Sequence, residues 1–442
     1  MLWVKVIVAL ILYGSACLAA EISTGESPIR FEDTLKGVFA DETQMKQAAL
    51  RYLADIDSIY RFGFAALAGG YGRLEMRHGI VSLYDIPLGE IGRKLLVTWS
   101  RRARFDDSHS SSVVLSFFEF ERKEDGWHSL HSYPGALSAG TWGIPPDTED
   151  IELYALSKEY YGIAVKTAFS TMGWGSEYLQ ILLPKRDMIY EVLSLRTQND
   201  NHAVGGGKKT EWKISLTFEK NTEATPANII AMQRGWEEGR RVEHKTKYIY
   251  LPKIYRYIKV SEIKKYTAVD KRAEALQNGN SLLKQIHFPT TVGKVLRLLG
   301  RADETVSPRM HNPSPGGQWL IWNIDGIQLK IPGDDCSATN IDHNAKVRAG
   351  ILESEGGVIS SVYGVELGAD SYFNVCKKLL HYIATNGIKE YKLLASHIRD
   401  EENHSLLIRF KDPETGLFVL FYFKNDILVK IYQGTFDIDE AG

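Results

Sequence analysis

The chain has 442 residues, of which 44% are hydrophobic and 11% aromatic, and its formal net charge is −2. This apolar content is typical of a protein with a packed core and excludes an intrinsically disordered chain. The near-balanced charge gives no overall attraction to nucleic acid or to an anionic membrane, so we predict neither as a partner. The length allows about two or three domains.

The first twenty residues have the pattern of a secretory signal peptide. Lys5 precedes an apolar run over residues 6–13, and small residues then follow up to Ala20. A basic residue, a short apolar core and a small-residue cleavage region are typical of export signals. The apolar run is much shorter than the roughly 20 residues of a membrane-spanning helix. We predict cleavage after Ala20 and an exported protein, periplasmic in a bacterium or otherwise secreted.

Cys17 offers an alternative to free export, because lipoprotein processing acylates a cysteine at the end of an apolar core. Lipoprotein signals normally carry leucine three residues before that cysteine, and here the position is Gly14. We therefore favour the free form, cut after Ala20 rather than after Ala19. No later segment is apolar for long enough to span a bilayer, so we predict no transmembrane segment.

Residues 21–92 are predicted to form an N-terminal leader with one helix and glycine-rich loops. Asp41 followed by Gln44 is typical of a helix-capping box, and apolar residues then recur at helical spacing to about Asp57. Between Phe62 and Gly79 the chain is rich in glycine, which favours turns over a helix interior.

Residues 93–266 are predicted to form an antiparallel β-rich domain. The clearest half-buried strand is 212–218, where every second residue is apolar. Hairpins are predicted at the turns 123–126 and 184–187. Because strands follow one another with few helices between them, we predict a sandwich, a barrel or a curled sheet.

One helical interruption is expected inside this domain, near Ala224–Arg240. Ile229, Met232 and Trp236 lie at a spacing that places them on one helical face. Strands resume at Tyr248.

The last part of the chain is predicted to be a smaller α+β domain over residues 286–442, after a polar linker at 267–285. A short helix ending at Gly300 and a hairpin around Asp325-Gly326 begin it. Asp370 is predicted to cap a helix, and three strands close the chain. The predicted fold class is therefore α+β, predominantly antiparallel β, with one C-terminal helix on an antiparallel meander.

Two cysteines remain after cleavage of the signal peptide. An even number in an oxidising compartment favours a disulfide, so we predict a bridge between Cys336 and Cys376. The alternative is that Cys376 is an ordinary buried residue, because it shares a helical face with Phe373 and Leu380.

No catalytic, cofactor or metal motif stands out in the sequence. The nucleophile elbow, the zinc-binding helix and the phosphate loop have no match. His128 and His131 have a ligand-like spacing, but positions three apart on a strand point to opposite faces. We therefore predict no cofactor and no metal site.

The segment 240–265 interleaves basic residues with tyrosines and holds our candidate binding residues. These are Tyr248, Tyr250, Tyr255, Arg256 and Tyr257. Interleaved aromatic and cationic side chains suit sugars, acidic protein surfaces or anionic polymers. The alternative is a pair of edge strands whose lysines block strand-to-strand aggregation.

These observations favour a non-enzymatic exported binding protein with a protein partner in the cell envelope. One concrete version is an inhibitor or immunity factor in a bacterial envelope. The alternative is an envelope hydrolase that acts on cell-wall or glycan material, with a site between the β-rich domain and the C-terminal domain. No catalytic residue is identified.

Overall fold

The fold is known from a computed structural model. It describes residues 20–21, 35–67, 76–88, 92–102, 113–140, 143–171, 174–185, 188–201, 208–219, 225–252, 254–263, 290–306, 318–324, 327–333, 346–347, 349–354, 359–360, 363–388, 392–397, 406–411, 418–424 and 427–434. At several of these positions, including 56–67 in the first helix and 376 in the last, the structure describes the backbone and not the side chain. The predicted linker at 267–285 and the glycine pair at 69–70 also fall outside it.

Twenty-six strands and three α-helices are described. In chain order they are β1 (Ala20–Glu21), β2 (Val38–Phe39), α1 (Glu42–Leu67), β3 (Met76–Asp85), β4 (Arg93–Arg102), β5 (Val113–Lys123), β6 (Gly126–Ala139), β7 (Ile151–Ala155), β8 (Tyr161–Thr171), β9 (Trp174–Lys185), β10 (Met188–Asp200), β11 (Glu211–Phe218), β12 (Ile229–Glu237), β13 (Arg240–Leu251), β14 (Arg256–Lys259), β15 (Thr290–Thr291), α2 (Val292–Leu299), β16 (Glu304–Val306), β17 (Gln318–Ile324), β18 (Ile327–Gly333), β19 (Lys346–Val347), β20 (Ala349–Ser354), β21 (Ile359–Ser360), β22 (Glu366–Leu367), α3 (Tyr372–Thr385), β23 (Lys392–His397), β24 (Leu406–Lys411), β25 (Phe418–Lys424) and β26 (Ile427–Gly434).

Three large antiparallel sheets contain most of these strands. Sheet I has the order β2-β6-β5-β4-β3, and sheet II is a continuous meander from β14 back to β7. Sheet III has the order β1-β23-β24-β25-β26-β20-β18-β17-β16. The prediction of a β-rich α+β fold with antiparallel sheets is confirmed.

Sheet I lies between two apolar cores, so its central strands are buried on both faces. On one face, Phe118 and Phe120 join a core with α1, α2, α3 and sheet III. On the other face, Leu115 and Phe117 pack against Ile163 and other residues of sheet II. The middle strand β5 is accordingly buried at its first eight positions, six of which are apolar.

A buried carboxylate joins sheets I and II. Glu119 on β5 accepts hydrogen bonds from Tyr133 at 2.9 Å and Tyr161 at 2.7 Å, and it forms an ion pair with Arg93 at 2.6 Å. The Glu119 side chain is 2% exposed. A buried charge is tolerated when it is paired and its oxygens are satisfied, and here the donors come from β4, β6 and β8.

Sheet II is curled, and its two halves face each other across a third core. Tyr154 on β7 packs against Phe218 on β11, with ring centroids 4.4 Å apart. The backbone of Leu156 accepts a hydrogen bond from Ala227 at 2.7 Å, which brings the end of β7 to the start of β12. Strands β10 and β11 pair only over residues 198–200 and 211–213, so they separate beyond that corner.

The first helix is longer than the sequence indicates. Asp41 caps it as predicted, accepting the Gln44 amide at 2.9 Å, but the helix continues to Leu67 instead of ending near Asp57. The predicted turn region therefore begins with a further helical stretch, and β3 starts at Met76. A single glycine in a helix costs only about 1 kcal/mol, so Gly63 is tolerated.

The predicted helix near Ala224–Arg240 is wrong, because this segment contains strand β12. All nine of its residues pair in register with β13, and eight of them with β11. The pairing partners on both sides override the helical spacing of the apolar residues.

The C-terminal part has the predicted short helix, hairpin and closing meander. The hairpin and the meander are parts of one larger sheet, sheet III. Strand β20 pairs with β18 on one side and β26 on the other, so the hairpin and the meander form one surface. Its core residues, such as Trp322 and Phe421, belong to the same apolar cluster as Leu53 of α1 and Phe118 of β5. The packing thus links the C-terminal part to sheet I.

Candidate functional site

The predicted tyrosines lie on β13, on β14 and, for Tyr255, immediately before β14, in and beside the core of sheet II. Tyr250 and Tyr257 are paired across the strands, and their ring centroids are 5.4 Å apart. Tyr248 and Tyr257 are buried, and the Tyr257 hydroxyl donates to the Ala227 carbonyl at 2.8 Å. These contacts stabilise the curl of sheet II, and ligand binding by the cluster stays a prediction.

Tyr255 is held in an unusual backbone conformation at the entry to β14. Its φ is 52°, which non-glycine residues adopt rarely. Its ring is stacked on Tyr190 with centroids 4.6 Å apart, and the Lys185 Nζ lies 4.1 Å from its centroid. The neighbouring Arg256 opposes, through its charge, the rise that burial causes in the pKa of Glu191.

Four side chains form what we call the charged junction between sheet II and the C-terminal part. The Tyr190 hydroxyl on β10 donates to Glu366 at 2.8 Å. Lys378 on α3 lies 3.1 Å from that carboxylate and 2.8 Å from both oxygens of Asp370. One amine therefore lies against two carboxylates.

Burial dominates the electrostatics of this junction. The Asp370 side chain is fully buried, and those of Lys378 and Glu366 are 14% and 16% exposed. Desolvation raises the pKa of Asp370 to about 6, although the charge of Lys378 opposes the rise. Burial and the Glu366 charge raise the pKa of Tyr190, which keeps it a neutral hydrogen-bond donor.

The local sequence around α3 positions these groups. The predicted capping role of Asp370 is wrong, because Ser371 accepts the Asn374 amide at 3.2 Å and is the N-cap. Asp370 instead accepts the backbone amide of Glu366 at 2.6 Å, which closes a tight turn. Helical side chains lean toward the helix N-terminus, so Lys378 reaches back along α3 to that turn.

A second candidate is the hairpin formed by β12 and β13, whose tip extends into solvent. Glu238 and Gly239 have φ values of 49° and 77°, the combination that a two-residue type I′ turn requires. Trp236, two residues before the turn, is 41% exposed. The Lys209 Nζ lies 5.7 Å from its ring centroid.

The side of the hairpin that bears Trp236 also carries an excess of positive charge. The register places Trp236 between Glu211 and Arg241, and Arg234 between Lys213 and Glu243. We call this surface the docking face. Its basic residues are Lys209, Lys213, Arg234, Arg241, Lys245 and Lys247, and its acidic residues are Glu211, Glu219 and Glu243.

Half of those cations are without a salt bridge. Lys209, Arg234 and Lys247 pair with carboxylates at 2.7, 2.9 and 2.8 Å. In the part of the chain that the structure describes, Lys213, Arg241 and Lys245 have no such partner, and all three are exposed. The docking face therefore combines an exposed indole with three exposed cations that have no salt bridge among the described residues.

The sequence did not reveal the docking face, because the segment was assigned to a helix. The signal that was present is the Glu238-Gly239 dipeptide, with glycine at the second position of a two-residue hairpin turn. The charged junction escaped notice for a different reason: Tyr190 and Glu366 are 176 positions apart along the chain.

His128 and His131 share one face of β6, so the argument that separated them is wrong. They pair with Glu121 and Glu119, two positions apart on β5, because a bulge lies between. His128 contacts Asp125 at 2.6 Å, and His131 stacks on Tyr133. Among the described residues, no group of three or more His, Cys, Asp or Glu side chains is arranged to hold a metal ion.

Several predictions fall outside the described residues. They include Cys17, the signal peptide before Ala20, and Cys336 with the side chain of Cys376, so cleavage, acylation and the disulfide stay predictions. Over the ranges that are described, no helix is both long and apolar enough to cross a membrane.

No model of a protein family matches the chain, and no curated protein sequence matches it either.

Proposed function

We propose that this chain is an exported, non-enzymatic binding protein that docks on a partner protein through the docking face. The single observation that carries the proposal is the exposed Trp236 near the tip of a hairpin, on the same face as three cations that have no salt bridge in the described part of the chain. Tryptophan and arginine are the residues that most often dominate binding energy at protein interfaces.

The geometry of the hairpin suits a docking element. Its two-residue turn fixes the strands relative to each other, so little conformational freedom is lost on binding. Trp236 is 41% exposed, and the Lys209 Nζ lies 5.7 Å from its ring centroid, so a large apolar surface remains open to a partner. Burial of this indole in a pocket of the partner would supply affinity, while the cations supply orientation.

The partner is expected to present an acidic surface. Cations in excess of carboxylates on one face attract acidic groups and speed up association with them, and this contribution weakens at high salt. A partner enzyme or toxin with acidic groups around an apolar pocket fits this requirement, as expected for an inhibitor or immunity factor.

Capture from envelope extract tests the proposal. Immobilised mature chain is expected to retain one protein partner, and Trp236→Ala is expected to lose it, because a central tryptophan contributes about 2 kcal/mol or more. Val260→Ala is the matched control, since Val260 is 45% exposed and lies outside the docking face. Equal capture by wild type and Trp236→Ala would refute the docking face.

Export is the second part of the proposal and has its own test. The chain recovered from the envelope or the medium is expected to begin at Glu21, as N-terminal sequencing would show. Diacylglycerol on Cys17 would identify a lipoprotein instead. A cytoplasmic chain that begins at Met1 would contradict export.

An envelope hydrolase remains the alternative, because the charged junction lies where such a site was predicted. The two carboxylates of the junction are engaged by Tyr190 and Lys378. Consumption of wall or glycan fragments by the purified chain, lost in Glu366→Gln, would favour this alternative.

A further inference from the structure

We propose that Lys378 and Asp370 become joined by an amide bond between the Lys378 Nζ and the Asp370 side-chain carbonyl carbon. The chain would form this cross-link itself, with Glu366 transferring the protons. The inference rests on the charged junction and is independent of the docking face.

The geometry brings the reacting groups into contact. The Lys378 Nζ lies 2.8 Å from both oxygens of the Asp370 carboxyl group, so it faces the carbon between them. That separation corresponds to about 3 Å between nitrogen and carbon, which is the spacing of near-attack arrangements. A rotation of the carboxyl group then presents the face of its carbon to the amine.

Burial of Asp370 favours one of the two protonation states that the reaction needs. An amine attacks only as the neutral base, and it attacks a protonated carboxyl group more readily than a carboxylate. The attack therefore requires transfer of one proton from the Lys378 ammonium to the Asp370 carboxylate. Burial raises the pKa of Asp370 against the opposing charge of Lys378, and so lowers the cost of protonating that carboxylate.

Glu366 is placed to move the protons. Its carboxylate lies 3.1 Å from the Lys378 Nζ and is held there by the Tyr190 hydroxyl. It accepts a proton from the attacking nitrogen and returns it to the departing hydroxyl, as a general base and then a general acid. One C–N bond forms, one C–O bond breaks and one water molecule leaves, so no oxidant or cofactor is required.

Other lysine–carboxylate contacts in the described residues lack this combination. Lys94 also touches two carboxylates, Glu42 and Asp85, but these side chains are 44% and 84% exposed. Exposure to water removes the desolvation that favours a neutral acid next to an amine. The Asp370 side chain is fully buried, and this difference makes Lys94 a matched control.

The cross-link would have a structural effect at the junction. It would fix the turn 366–370 to the second turn of α3, and so hold Glu366 against Tyr190 of sheet II. The contact with sheet II would still be the hydrogen bond from Tyr190 to Glu366, but the turn that carries Glu366 would be closed covalently.

Intact mass spectrometry of the purified, denatured mature chain tests the proposal. We expect a mass lower than the sequence mass by one water molecule, with fragmentation placing the loss between Asp370 and Lys378. Lys378→Arg keeps the positive charge and is expected to abolish the loss, as is Glu366→Gln, whereas Lys94→Arg is expected to retain it.

Two results would overturn the proposal. One is a wild-type chain with the full sequence mass whose Lys378 reacts with an amine-specific reagent after denaturation. The other is a loss of water that persists in Lys378→Arg, because the missing water would then belong to another site.

Discussion

Replacement of Trp322 by alanine is expected to lower the free energy of unfolding by roughly 3–5 kcal/mol, since this is the usual cost of removing a large buried aromatic side chain. Trp322 is fully buried in the core that also contains Leu53 of α1 and Phe118 of sheet I. Its indole nitrogen donates to the Gly300 carbonyl at 3.1 Å, at the end of α2. The variant therefore leaves a cavity and an unpaired carbonyl.

Urea denaturation combined with hydrogen exchange measures this effect and its extent. Because the core spans both parts, protection is expected to fall in β5 of sheet I as well as in β17. Trp236→Ala is the control and is expected to change stability by less than about 0.5 kcal/mol, as surface substitutions usually do. Loss of protection confined to sheet III would mean that the C-terminal part is a separate folding unit.

Replacement of Arg93 by alanine is expected to destabilise the chain by roughly 3–5 kcal/mol, because it leaves the buried Glu119 carboxylate without its counter-charge. Glu119 would keep only the hydroxyl donors of Tyr133 and Tyr161. Thermal or urea denaturation of the purified variant provides the measurement.

A double substitution separates charge from packing at this site. Arg93→Met with Glu119→Leu removes both charges, and buried ion pairs are often replaced by apolar residues with little loss of stability. We expect the double variant to be more stable than Arg93→Ala. A single variant that unfolds like the wild type would show that the ion pair of Arg93 with Glu119 does not contribute to stability.

The sequence was most informative where local chemistry alone decides the structure. The hairpin between β5 and β6 turns at Glu124-Asp125, within the predicted turn 123–126, and the α2 helix has Thr291 and Gly300 at its ends. Periodicity of two in β11 and turn residues are sufficient in such cases, because no distant partner is needed.

The predictions from sequence were wrong where pairing with residues distant in the chain decides the local structure. Strand β12 has residues at helical spacing and became a strand because β11 and β13 pair with it on both sides. The bulge in β6 that brings His128 and His131 to one face depends on pairing with β5. The charged junction requires the contact between sheet II and α3, which no local pattern encodes.

The tyrosine cluster is more buried than its sequence pattern predicts. Interleaved tyrosines and cations on β13 and β14 suggested a surface, but Tyr248 and Tyr257 are buried in sheet II. The exposed aromatic residue of this region is Trp236, at the other end of the same hairpin. Which side chains face solvent depends on how the sheet curls.

The affinity of the captured partner for purified variants tests the docking face most directly. Trp236→Ala is expected to weaken binding by about 30-fold or more, equivalent to about 2 kcal/mol, while Val260→Ala binds like the wild type. Reversal of charge at Lys213 and Lys245 is expected to slow association and to reduce its salt dependence. Unchanged affinity in Trp236→Ala, with the fold intact, would contradict the account.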